Sequence, residues 1–257
     1  MHDLSGKIVL LTGASQGIGA VTSTILGQAG ASVIAHHHAA PDLEGAQAAL
    51  SNTPATQKTF LAADYEDLSA VDQLWQQAAD WKGRIDAIVL NAATMDWHSG
   101  FDEEDAIWEQ SWSRHLQVNV IAQVRLMRAA VGHFQQNGGG VIVVISSWLA
   151  HRGSTNPAMM AYAASKGAMK AAAQTVARAY ATDGVRCYMI APGTVRTHMG
   201  TAFAELQGID EKELGEDLPM GELIPPEEIG ELVAFLITGP KHMSGATLDV
   251  TGANYLR

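Results

Sequence analysis

From end to end the chain alternates short runs of aliphatic and β-branched residues with longer segments of helical period, and that alternation leaves few folds open to it. Seven buried-strand candidates follow in order, at residues 7–11, 32–35, 59–62, 85–90, 141–145, 185–190 and 247–250. Most are continuous apolar runs, as strands covered on both faces require. Helical patterns fill the gaps, clearest at 69–81, 108–134 and the alanine-rich 162–181. The pattern predicts βαβ units building an α/β fold around a parallel sheet, in a single domain spanning 1–257. Two stretches break the rhythm, 94–105 and 193–226, the second ending in Pro225-Pro226. Both follow the C-terminal ends of strands, where open α/β sheets bind ligands, and long irregular segments there read as lids or substrate loops.

Composition narrows the class of partner. Sixteen Lys and Arg against 27 Asp and Glu give a net charge of −11 with no basic cluster, which argues against nucleic acid. Between Glu205 and Glu231 stand ten acidic residues and one lysine. A field of that sign disfavours a large acidic carrier as substrate, because steering needs complementary charge. The lone Cys187 excludes an intrachain disulfide. No apolar run reaches the roughly 18 residues of a membrane span, and the first residues, MHDLSGKIVLL, lack the basic and apolar regions of a signal peptide. The expectation is a soluble, cytoplasmic chain acting on a small molecule, with no membrane or nucleic-acid partner.

The first strand runs into Thr12-Gly13-Ala14-Ser15-Gln16-Gly17-Ile18-Gly19 and then a helix. Glycine there permits the tight turn and lets a pyrophosphate approach the backbone and the helix N-terminus, whose unpaired N–H groups and dipole favour anions. Tyr162 and Lys166 stand four apart in Ala161-Tyr162-Ala163-Ala164-Ser165-Lys166 and share one face of a helix. An ammonium beside a phenol stabilises the phenolate, so the pair is expected to draw the tyrosine below its ordinary value of about 10 and to exchange a proton with a substrate oxygen. Upstream, the fifth strand ends in Ser146-Ser147, which brings hydroxyls to the same edge of the sheet.

With these residues the chain resembles the short-chain dehydrogenase/reductase family over nearly its whole length. The glycine turn matches T-G-x-x-x-G-x-G and Tyr162 with Lys166 matches Y-x-x-x-K, while Asp64, Asn119, Arg186, Pro192-Gly193 and Thr197 are further matches. The resemblance implies a single Rossmann-like domain, a doubly wound parallel sheet of about seven strands, and hydride transfer to or from NAD(P), interconverting a secondary alcohol or sugar hydroxyl and its carbonyl, in a homo-oligomer, tetramer or dimer. It assigns Tyr162 as general acid/base and Lys166 as its electrostatic partner and a donor to the nicotinamide ribose. Ser147 holds the substrate oxygen, with Ser146 as the alternative, and Asn119 supports a water relay to Lys166. Cofactor contacts are implied at Gly13, Ser15, Gln16, Gly17, Ile18, Gly19, His37, Asp64, Asn91, Tyr162, Lys166, Pro192, Gly193 and Thr197. A different class of protein on the same fold, a non-catalytic NAD(P) sensor, would not need Asn119, Ser147, Tyr162 and Lys166 together.

Departures are local. The family's glycine after the fourth strand is replaced in Asn91-Ala92-Ala93, the segment between Ser147 and Tyr162 is longer than usual, and Thr251-Gly252-Ala253 stands where the family has Asp-Gly-Gly. After the second strand an acidic residue would bind the adenosine ribose and repel a 2′-phosphate. Here stand His36, His37 and His38, with His37 at that position and Gln16 where phosphate-binding relatives have arginine. The reading is NADP, with NAD as the alternative. No metal is expected, since consecutive strand residues point to opposite faces. Trp97, Trp148 and Met199, with Thr94, Met95, Met159 and Phe203, are the substrate-side candidates, as suited to a sugar face as to an aromatic or alicyclic ketone.

Overall fold

The computed structural model describes residues 2–206 and 208–256. Seven parallel strands form one sheet in the order β3-β2-β1-β4-β5-β6-β7. They are β1 (Ile8–Leu11), β2 (Ser32–His37), β3 (Lys58–Ala62), β4 (Ala87–Leu90), β5 (Gly140–Ile145), β6 (Val185–Pro192) and β7 (Thr247–Val250). All seven expected strands are present. The main shift is at β4, which starts at Ala87 because the residues before it are held otherwise: the Asp86 carboxylate accepts from the Ile8 N–H at 2.8 Å and the Ile85 N–H donates to the His133 ring at 3.0 Å.

The period of two along each strand sorts its side chains into two cores. Val9, Leu11, Val33, Val143 and Ile145 pack with Leu26 of α1 (Gly17–Gln28) and Ile229, Val233 and Leu236 of α10 (Pro226–Thr238). Ile8, Leu10, Ile34, Ile142 and Val144 face the other way. They meet Val71 and Leu74 of α3 (Leu68–Lys82), Leu126 and Phe134 of α5 (Ala122–Gln136), and Met169, Ala173 and Ala177 of α7 (Met160–Ala179). The four-residue spacing of the last three is the helix period that makes one apolar stripe. No helix among the described residues is long and apolar enough to cross a membrane.

Two sequence expectations are corrected. The pattern at 108–134 is not one helix: α4 (Asp105–Leu116) passes through a π-helical turn at Gln117–Ile121 before α5 resumes. Asn119 lies in that turn and is the cause visible in its contacts, because its side chain is held across the gap to the neighbouring loop. Nor is 193–226 irregular throughout, since it carries α8 (His198–Leu206) and α9 (Glu211–Glu216). An Asp210–Glu213 capping box starts α9, so part of the acidic excess serves a helix N-terminus. A short parallel bridge, Val195 to Ile224, closes the base of this lid.

Candidate active site

The strand order reverses between β1 and β4, and a cavity of about 780 Å³ opens over the C-terminal edge at that point. That volume lies in the usual range for ligand pockets. One end is walled by the β1–α1 turn. Gly13 has φ +67°, and a Cβ on it would meet the Ala92 Cα at 2.9 Å, so only glycine allows this approach of two strand ends. A methyl on Gly19 would run into the Gly13 carbonyl oxygen. Asn91 donates its amide to the carbonyls of Thr12 and Gly13, both at 3.0 Å, and ties β4 to the same turn. Gln16 is the N-cap of α1 and makes no capping bond, which leaves the first-turn N–H groups facing the cavity without a side-chain partner.

His36 holds this turn from behind. Its Nδ1 accepts from the Gly13 N–H at 3.1 Å, its Nε2 lies 3.0 Å from the Ala63 carbonyl, and its ring stacks on Tyr65. The first bond requires a bare Nδ1, hence a neutral ring protonated on Nε2. Burial holds it so, pushing its pKa down to about 4. His36 and His38 reach the cavity wall and His37 does not, a correction to the sequence reading with a simple reason: alternation along the strand end turns His37 away, and its Nδ1 lies 2.8 Å from the Ala39 carbonyl. His38 Nδ1 stands 3.7 Å from the Asp64 carboxylate, and Asp42 shares this end of the wall.

In the middle of the cavity stand Tyr162, Lys166, Ser146 and Ser147. The α7 stripe brings Tyr162 and Lys166 inward, the ammonium 5.5 Å from the phenol ring centroid, and the Lys166 Nζ donates to the Ile145 carbonyl at 3.0 Å. Burial dominates both. It raises the Tyr162 phenol to about 12, opposed by the Ser147 hydroxyl, and lowers Lys166 to about 8. The expected net lowering of the tyrosine is therefore not what this cavity produces: desolvation of the phenolate outweighs its neighbours. Ser147 Oγ accepts from the Leu149 N–H, whereas Ser146 Oγ is buried with no partner among the described residues.

Asn119 is not on the wall. Its side chain accepts from the Thr94 N–H at 2.8 Å and donates to the Thr94 carbonyl at 2.9 Å and the Ser165 hydroxyl at 3.1 Å, so it braces the wall from behind. Gly19 likewise sits behind the turn it makes possible, while Ser15, Gln16, Gly17, Ile18, Asp64, Asn91, Pro192, Gly193 and Thr197 all line the cavity. Arg186 is elsewhere, bound to the Gly239 carbonyl.

The far end is apolar. Leu149, Met159 and Tyr162 cluster with Met95, Trp97, Trp148 and Phe203, the Trp97 and Phe203 rings stacked at 5.9 Å. Met199 and Thr94 also reach the wall. Arg152, Leu214, Leu218 and Asn254 line it too, and none was expected from the sequence. A signal existed for the leucines, whose spacing of four puts Leu214 of α9 and Leu218, just past its end, on one inward face. None existed for Arg152, the last residue of a four-residue helix, or for Asn254, in the turn after β7, which only the fold brings to the cavity.

A dinucleotide-sized cavity over a parallel sheet, a glycine turn that admits no Cβ, and a buried tyrosine–lysine pair define a nicotinamide-dependent oxidoreductase of the Rossmann class. The short chain dehydrogenase family model matches residues 7–207, and the chain belongs to the short-chain dehydrogenase/reductase family. It is similar to glucose 1-dehydrogenase 2 of Bacillus subtilis, 28% identical with 97% of this chain and 95% of that one covered. It is also similar to 2,3-dihydro-2,3-dihydroxybenzoate dehydrogenase of Escherichia coli, 29% identical with 99% of each covered. Among solved structures, the 3-ketoacyl-(acyl-carrier-protein) reductase from Brucella melitensis, complexed with NADH, superposes with a TM-score of 0.85 at 26% identity, covering 99% of this chain and 100% of that one. The protein is thus an NAD(P)-dependent oxidoreductase acting on CH–OH groups. The sensor alternative draws no support from these three relatives, which are named as dehydrogenases or a reductase.

Proposed function

We propose that the enzyme interconverts a secondary alcohol, or a sugar hydroxyl, and the corresponding carbonyl, with Tyr162 as general acid/base. The observation that carries this is the burial of Tyr162 and Lys166 on one face of α7, beside Ser147 and in the same cavity as the glycine turn. A nicotinamide cofactor held in this cavity would supply the hydride chemistry, in either direction. In the turn that Gly13 makes possible, the N–H groups of Ser15, Gln16, Gly17 and Ile18 would hold its pyrophosphate, Asp64 would meet its adenine end, and Asn91, Pro192, Gly193 and Thr197 its nicotinamide end. In reduction, the Ser147 hydroxyl donates to the substrate carbonyl and the Tyr162 hydroxyl gives up its proton as the oxygen gains charge. With its pKa near 12, Tyr162 carries that proton at neutral pH, and Lys166, near 8, carries its positive charge there to stabilise the phenolate left behind.

NADP(H) is the preferred cofactor in this reading, with His38 rather than His37 facing the 2′-phosphate; the Asp42 carboxylate nearby favours NAD(H) and keeps the preference small. The relatives' names cover a sugar and a dihydroxylated ring acid, and an acyl-carrier-protein substrate stays outside the proposal because of the acidic lid. The protein acts as a homo-oligomer, which sedimentation checks. Reduced-cofactor absorbance scanned against secondary alcohols, sugars and ketones tests the function: turnover of at least one class is expected, and none with either cofactor contradicts it.

A further inference from the structure

Arg152 closes α6 (Leu149–Arg152), the four-residue helix that follows Ser147 and Trp148. That helix is pinned on its other side. The His151 ring is buried with Nδ1 2.6 Å from the Lys170 ammonium and Nε2 3.5 Å from the Asp249 carboxylate, and it stacks on Tyr255. The two basic residues of α6 therefore face opposite ways, and Arg152 is left to the cavity. Its guanidinium lies 4.7 Å from the centre of the Trp148 ring. Stacking on an indole fixes the plane of the fork and leaves its N–H edge open, an arrangement that suits arginine and not lysine.

The other wall cations are engaged: Arg114 pairs with Glu66 at 2.9 Å, and Lys166 donates to the Ile145 carbonyl. Arg152 is exposed at the cavity wall and has no carboxylate or carbonyl partner among the described residues; the Trp148 ring is what its guanidinium stands over. The wall's own carboxylates, Asp42, Asp64 and Glu66, follow β2 and β3 at the opposite end. From the acidic lid the wall receives Phe203, Leu214 and Leu218 but no Asp or Glu, so its negative charge is turned outward.

We propose that Arg152 anchors a carboxylate carried by the substrate, so that the enzyme takes a compact hydroxy acid or keto acid whose hydrocarbon body packs on Trp97, Trp148 and Phe203. This rests on the dehydrogenase reading and names the substrate class of that site. A bidentate, charge-assisted fork is the stronger kind of ion pair, but water screens an exposed guanidinium, so roughly a threefold to tenfold preference follows for the acid over a neutral analogue of equal size.

The test has a binding arm and a turnover arm. Binding of cyclohexanecarboxylate and cyclohexanecarboxamide to the cofactor-loaded protein is measured by calorimetry, and reduction of 3-oxocyclohexanecarboxylate and its methyl ester by absorbance. The parent should favour the carboxylate in binding, Arg152→Met should abolish that preference while its cofactor affinity reports that it is folded, and Arg152→Lys should restore part of it. No carboxylate preference in the parent, or one that survives Arg152→Met, overturns the proposal. Neutral ketones reduced without a carboxylate advantage sink the anchor and leave the dehydrogenase reading standing. Arg152-dependent carboxylate binding, with neither ketone reduced, supports the anchor and counts against that reading.

Discussion

At the cofactor end of the cavity the contacts are made by the main chain, whereas at the substrate end they are side chain on side chain. Asn91 and His36 bond to the backbone of Thr12 and Gly13, and the two glycines leave no room for a methyl. Trp97 on Phe203 and Arg152 on Trp148 are contacts between side chains, so a substitution there alters the wall without touching the backbone turn. A backbone cradle is specific about glycine and indifferent to most side chains; a side-chain wall is the reverse. One end can thus stay fixed on one cofactor while the other is free to change substrate.

Substitutions at the two ends should separate them. The largest effect on binding is expected at Gly19→Ala, where the new methyl must displace the Gly13 carbonyl; overpacking of about 1–3 kcal/mol falls on the turn and should lower cofactor affinity by roughly tenfold to a hundredfold. Fluorescence titration with the reduced cofactor measures it, and unchanged affinity would mean that the turn yields. Acid stability reports on the same end. His36 titrates near 4 in the folded protein against about 6.5 unfolded, so the unfolded chain binds more protons between those values and stability drops as pH falls through that window. The loss should be on the order of 3 kcal/mol by denaturant midpoint, and absent from His36→Asn.

Phe203→Ala should leave cofactor affinity alone and cost about 1–2 kcal/mol of substrate contact, roughly tenfold in kcat/KM. Equal loss at both ends would dissolve the contrast. The smallest effect is expected in cofactor choice: His38→Ala should lower the NADP(H) to NAD(H) ratio of kcat/KM severalfold, while His37→Ala leaves it unchanged. A response at His37 alone would restore the position the sequence indicated.

The same contrast explains what could be read from the sequence. Strands and the glycine turn are local, since a run such as Ile8–Leu11 buried on both faces, or a glycine where no Cβ fits, carries its signal in adjacent residues. Tyr162 and Lys166 are legible for the same reason, being one helical turn apart. The wall at the far end is assembled from residues as distant in sequence as Met95, Arg152, Leu218 and Asn254, and only the fold brings them together. The π-helical turn at Asn119 escapes sequence periodicity because its cause is a contact with Thr94, 25 residues away. Burial, which decides the sign of the Tyr162 shift, is likewise a property of the folded cavity.

The central claim is that one cavity divides its labour, the backbone end holding the cofactor and Tyr162 moving the proton. Tyr162→Phe keeps the ring and removes only the hydroxyl. Cofactor affinity and kcat for carbonyl reduction, measured on the same preparation, should give unchanged binding and a loss of turnover of roughly 10²-fold or more. Retained turnover, or cofactor binding lost in step with it, would contradict the account.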